Sequence, residues 1–175
     1  MATFIKIAST IIGAGGASSI TFDSIPSTYT DLKLLISART SSSGPVDGIT
    51  LSINGSSSNF NTRYMFFNGF TGGAFNAGID TYGPGGWING ATSTASSFSN
   101  IEINFTNYAS TSYAKPFSVD SVQENNAVGT NNIYMGLFAG IWNPGTHAAI
   151  SSLTLTPVVN YVQHTTATLY GIKSS

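Results

Sequence analysis

Cysteine is missing from all 175 residues of this chain, which excludes disulfides, thiolate zinc sites, iron–sulfur clusters and cysteine nucleophiles. Charge is the second scarcity. Six Lys and Arg with seven Asp and Glu make up 7% of the residues, against about 25% in ordinary soluble domains. A net charge of −1 gives no electrostatic footprint for nucleic acid, anionic lipid or acidic substrates. Long apolar runs are missing too, since no stretch approaches the ~18–20 residues of a membrane span. Ile7–Ile12, followed by the small residues Gly13–Ala17, is too short and too interrupted by Ser9 and Thr10 for a signal peptide. It reads as a first strand, in a chain folded in a cytosol without cleavage. Yet 41% of the residues are apolar, so the chain is not disordered, and its length suits one domain with one core.

A helical period is nowhere sustained, whereas a period of two recurs. Ile5 and Ile7 flank Lys6, and Ile20 and Phe22 flank Thr21. Leu32, Leu34 and Ile36 alternate with Lys33 and Ser37, and Ile49, Leu51 and Ile53 with Thr50 and Ser52. The same holds for Ile101, Ile103 and Phe105, for Phe117 and Val119, for Leu153 and Leu155, and for Thr168–Ile172. Such segments are strands with one face in a core and one in solvent. Ile133–Trp142 differs, because Met135, Leu137 and Ile141 on one phase and Phe138 and Trp142 on the other are all apolar. It is expected to be a central strand whose second face is covered by a loop or a neighbouring subunit. Gly136 and Gly140 on it leave room for a close approach.

Turn residues punctuate these runs at Gly13–Gly16, Pro26, Gly44-Pro45, Asp47-Gly48, Asn54-Gly55 and Asn143-Pro144-Gly145. The pattern predicts an all-β chain, a jelly-roll-like antiparallel β-sandwich of about eight or nine strands, with an immunoglobulin-like topology as second choice. Residues 1–175 are expected to form one domain, without internal repeats. Phe66–Gly90, rich in glycine and aromatics, is expected to be a long loop with a functional or interfacial role.

Motifs of chemistry are sparse. No phosphate-cradling G-K-[ST], no G-x-S-x-G and no calcium-loop pattern is present. His147 and His164 stand alone and are expected at surface loops or strand ends. Glu102, Asp120 and Glu124 occupy the polar phase of their strands, so they face solvent, and Asp47 and Asp80 sit among turn residues. No catalytic residue, metal ligand or cofactor-binding residue is therefore expected. The aromatics of the long segment carry more information. Tyr64, Phe66, Phe67, Phe70, Phe75, Tyr82 and Trp87 could stack on sugar rings, with Asn76, Asp80 and Asn89 as hydroxyl partners. The competing reading, which ranks first, has them covering the sandwich or filling a subunit interface. Phe70, Phe75, Tyr82 and Trp87, with Phe138 and Trp142, are the expected contact residues.

A nearly uncharged surface of Ser, Thr and Asn can pack against copies of itself without burying an unpaired ion, which costs several kcal/mol. It suits a permanent symmetric assembly. Against that background, Ala17–Ser37 (ASSITFDSIPSTYTDLKLLIS), Asn107–Asn126 (NYASTSYAKPFSVDSVQENN), Ala149–Pro157 (AISSLTLTP) and Ala167–Lys173 (ATLYGIK) resemble small β-rich virion proteins of tailed bacteriophages, frequent among phages of marine bacteria and cyanobacteria. The resemblance implies a non-enzymatic virion protein assembled in the host bacterial cytoplasm, with no active-site residues to carry over. The expected role is a capsid decoration or cement protein, a homotrimer clamping the major capsid protein, without nucleic-acid or membrane partners. The Met start, the immediate strand and the lack of coiled-coil heptads or fibre repeats favour it. The alternative is a tail-fibre or receptor-binding module that recognises host surface glycan, which the aromatic segment favours. A secreted carbohydrate-binding module or hydrolase is a third reading, weakened by the missing signal peptide.

Overall fold

A computed structural model describes residues 2–69, 71–80, 83–125 and 133–173, with backbone alone for 76–80. The described residues contain no helix and form twelve strands. These are β1 (Thr3–Ile11), β2 (Ile20–Phe22), β3 (Asp31–Ala38), β4 (Val46–Ile53), β5 (Phe60–Phe67) and β6 (Gly72–Asp80). β7 (Gly83–Asn89), β8 (Ser99–Phe105), β9 (Lys115–Val122), β10 (Met135–Trp142), β11 (Leu153–Pro157) and β12 (Thr166–Lys173) follow. Each alternating segment of the sequence lies in one of them.

An eight-stranded sheet, in the order β1-β12-β3-β8-β9-β10-β5-β6, faces a four-stranded sheet, β2-β11-β4-β7. All their pairings are antiparallel. The inward phases form one core, with Leu32, Leu34 and Ile36 of β3, Ile101, Ile103 and Phe105 of β8, Leu51 and Ile53 of β4, and Leu153 and Leu155 of β11 all buried. Burying each side chain of this kind contributes about 1.5–3 kcal/mol, which locks the register, because a one-residue slip would turn a whole strand's apolar set outward. Asn54 (φ 52°) and Gly55 (φ 76°) make the expected tight turn after β4, closed by reciprocal Ile53 and Ser56 backbone bonds of 2.8 and 2.9 Å.

The long loop expected over residues 66–90 is corrected by the structure. The segment carries the end of β5, all of β6 and all of β7. Its glycines serve close packing within sheets instead of a free loop. A Cβ at Gly86 would lie 2.9 Å from the Ser121 Cβ, and one at Gly83 would lie 2.6 Å from both the Phe60 ring and the Leu51 carbonyl. β7 can therefore lie close over β8, β9 and β10. Its far end is pinned by Asn89, which is buried and bonded through its side chain to Ser97, Ser99 and the Glu124 carbonyl. The connection from β7 to β8 wraps the Arg39 guanidinium, which donates to the carbonyls of Ala91, Ser93, Thr94 and Ser97 at 2.7–3.1 Å.

The two sheets differ in width, and that positions the candidate site. β7 forms one edge of the small sheet, whereas the large sheet continues through β5 to β6. The inward-facing side chains of β5 and β6 thus extend past the covering layer.

Candidate functional site

Cross-strand register assembles an aromatic cluster under this overhang. Tyr64 on β5 lies opposite Phe75 on β6 and Phe138 on β10, with ring centroids 5.3 and 5.4 Å away and both pairs stacked. Phe66 stacks on Phe75 at 5.3 Å. Phe66 is itself flanked by Gly73 and Gly136, and the Trp87 indole occupies the space that Gly136 leaves, since a Cβ there would meet its ring at 2.4 Å. Trp87 reaches across from β7 to pack against Phe138 at 5.1 Å, Phe66 at 6.0 Å and Tyr134 at 6.0 Å. Such ring pairs add about 0.5–1.5 kcal/mol each beyond their buried area.

The cluster leaves space beside it. Between β7 with β4 on one side and β5 with β10 on the other lies a cleft of about 690 Å³. Ile49, Thr50, Thr62, Tyr64, Pro84, Trp87 and Phe138 are among its lining residues, and none of the described lining residues is charged. Thr62 interrupts the inward phase Phe60, Tyr64, Phe66 of β5 with a hydroxyl. It is 1% exposed, and its Oγ1 has no hydrogen-bond partner. An unsatisfied buried group of this kind costs about 1–3 kcal/mol.

The outer face of the same strands is different. Here Val122, Met135 and Phe67 form one cross-strand row, and Asp120, Leu137, Met65 and Ala74 the next. Met65 is 55% and Leu137 50% exposed, and Phe67, Val122 and Met135 are also exposed. This is the second face of β10, and no described part of the chain covers it. Toward β3 the face turns polar. Glu102 lies opposite Asp120, binds Lys33 Nζ at 2.7 Å and accepts a 3.0 Å bond from Asn104 Nδ2. These partners hold the Glu102 carboxyl below its ordinary range, the Lys33 bond contributing most.

The sequence-predicted contact residues are thus divided. Phe75, Trp87 and Phe138 come together in the cleft cluster. Trp142 does not join them, since it is 2% exposed at the other end of β10, between Phe60 and Lys115. Phe70 and Tyr82 lie outside the described residues. Asn89, expected as a hydroxyl partner, is a buried structural clamp. Asp47, expected in a turn, is buried in β4, where it accepts the Gly48 and Val159 amides at 2.7 and 3.2 Å. Thr62 and Tyr134 were missed, though a lone polar residue in an apolar phase was the available signal for Thr62. Elsewhere, Lys115 is buried and donates to the carbonyls of Tyr113 (2.6 Å) and His147 (3.2 Å), and burial pulls its ammonium below the ordinary lysine range. Among the described residues no three His, Asp or Glu side chains gather as metal ligands, and no helix is long and apolar enough to cross a membrane.

No protein-family model matches the chain, and no curated protein matches it. Among solved structures it is similar to a fructofuranosidase from Schwanniomyces occidentalis complexed with fructosylnystose, at a TM-score of 0.28 and 9% identity, covering 98% of this chain and 33% of that one. It is also similar to a structure of infectious bursal disease virus, Gt strain, at a TM-score of 0.10 and 15% identity, covering 98% and 40%. The chain spans well under half the length of either. At those TM-scores neither likeness bears on fold or function.

Proposed function

We propose that the chain is a non-enzymatic structural protein of a tailed-bacteriophage virion, a capsid decoration or cement protein that forms a homotrimer and contacts the major capsid protein. The observation that carries this reading is the exposed apolar strip of Met65, Phe67, Val122, Met135 and Leu137 on the outer face of β5, β9 and β10. On a chain with so little charge to keep copies apart, such a strip favours a permanent protein contact. The sequence likeness of Ala17–Ser37 and the other quoted segments to phage virion proteins supports the setting. Strand order supports a jelly roll at the centre. β1-β12-β3-β8 stands opposite β2-β11-β4-β7, the chain crossing between the two at each step except from β4 to β7, with β5–β6 and β9–β10 added on one flank.

Quantitative mass spectrometry of purified virions tests the reading. A copy number comparable with that of the major capsid protein is expected, and particles lacking the protein should adsorb normally but open at lower temperature. A few copies per particle together with failed adsorption would replace it with the tail-fibre or receptor-binding alternative, which the aromatic cleft favours. In solution, Leu137→Lys should convert an oligomer to a monomer by light scattering. Wild-type protein that is already monomeric would contradict the assembly.

A further inference from the structure

We propose that the cleft between β7 and the β5–β10 pair binds an uncharged saccharide ring. Its volume of about 690 Å³ lies within the range of small-molecule sites. Three features of the lining select the ligand class. Trp87 and the edge of Tyr64 offer aromatic surface to the C–H groups of a sugar, the faces of Tyr64 being taken by Phe75 and Phe138. None of the described lining residues is charged, so an ionic ligand would meet no counter-charge among them. Thr62 Oγ1 is buried without a partner, and a ligand hydroxyl would satisfy it where a purely apolar ligand would leave it orphaned.

An extended peptide added to the β7 edge fits less well. Pro84 has no N–H to give, Gly86 sits at φ 98°, and the register with β4 shifts between Gly48 and Thr50. An edge so broken offers no regular ladder. Saccharide binding is also independent of assembly, because the cleft lies on the inner side of β5 and β10 and the apolar strip on their outer face. Copy number per virion therefore does not touch it, and its failure would leave the virion role standing.

Tryptophan fluorescence and saturation-transfer NMR on the full chain provide the test. Titration with glucose, galactose, mannose, N-acetylglucosamine and their short oligomers should show saturable binding of at least one, tighter than glucuronate or sialic acid. Thr62→Val keeps the side-chain shape and should leave or raise Tm while weakening binding roughly tenfold, the loss of one hydrogen bond. Trp87→Phe should weaken binding and abolish the fluorescence change, and Leu137→Lys should bind as wild type. The inference is overturned if folded wild-type protein binds no neutral saccharide, or if acidic sugars bind more tightly. Thr62→Val binding as wild type would equally overturn it, as would an extended apolar peptide taking the cleft where sugars do not.

Discussion

On one flank of the large sheet Tyr29 lies over Gly171 of β12, where a Cβ would meet its ring at 2.3 Å. On the other, Trp87 lies over Gly136 of β10, where the distance would be 2.4 Å. Both flanks run beside a narrower covering sheet, and both use a glycine to seat a large ring, but what surrounds that ring differs. On the Tyr29 flank the core-packed residues of β12 and β1 are aliphatic, Ala167 and Leu169 with Ile7 and Ala8, and Ile5 lies opposite Gly171. Tyr29 is also tethered, its amide donating to the Tyr108 hydroxyl, which in turn donates to the Pro26 carbonyl, while Lys173 lies 5.7 Å over its ring. Around Trp87 the neighbours are other rings, meeting it at steep angles. One flank is closed over its ring, whereas the other leaves a cleft beside its rings. Closure gives stability, and the opening gives space for a ligand.

That contrast predicts unequal stability. Leu169→Ala, fully buried on the closed flank, should cost about 2–5 kcal/mol in denaturant unfolding. Phe75→Ala, 45% exposed on the open flank, should cost less, about 1–3 kcal/mol from its two stacked pairs, despite removing a larger side chain. Equal losses would break the distinction between the flanks. A finer comparison uses the seats themselves. Gly171→Ala should cost about 1–3 kcal/mol by overpacking, because the new methyl meets Tyr29 at Cγ and both Cδ atoms, the root of a tethered ring. Gly136→Ala should cost less, because it meets the Trp87 benzo rim and the Phe138 Cε2 rim, away from either ring's root, and Trp87 borders the cleft. Its stronger signature should be a shift in tryptophan emission.

The middle of the large sheet was easier to read in the sequence than the open flank. Leu32, Leu34 and Ile36, or Ile101, Ile103 and Phe105, announce their strands because one face meets apolar core and the other meets water. β5 carries apolar residues on both faces, Tyr64 and Phe66 inward and Met65 and Phe67 outward, so its alternation is erased. β6 and β7 carry three glycines each, whose usual meaning is a turn. At Gly83 and Gly86 they instead mark where a second backbone or ring comes close, and only the partner, distant in sequence, shows that. The place of Trp142 was hidden for a related reason. Two apolar phases on one strand do not say which phase is core, and the structure puts Trp142 in the inner one. The cleft depends on the mismatch between eight and four strands, which no local pattern encodes.

The outer face repeats the division on a smaller energy scale, and its polar half can be tested through Glu102. The Lys33 ion pair at 2.7 Å and the Asn104 hydrogen bond lower the Glu102 carboxyl from its ordinary value of 4.5. A carboxyl depressed in the folded state releases its proton more readily there than in the unfolded chain, so it stabilises the fold above its unfolded value. That contribution fades as pH falls through the folded value. Because the pair is partly exposed, solvent keeps it to about 0.2–1 kcal/mol. Glu102→Gln should therefore unfold slightly more easily at pH 7, with the difference shrinking below pH 4.5 and vanishing once the wild-type carboxyl is protonated. Raising salt to ~1 M, where the Debye length is about 3 Å, should narrow the gap at pH 7 as well. On the apolar half, Met65→Gln should show no such pH or salt dependence. A matching acid step there would mean that the two halves of the face are not held by different forces.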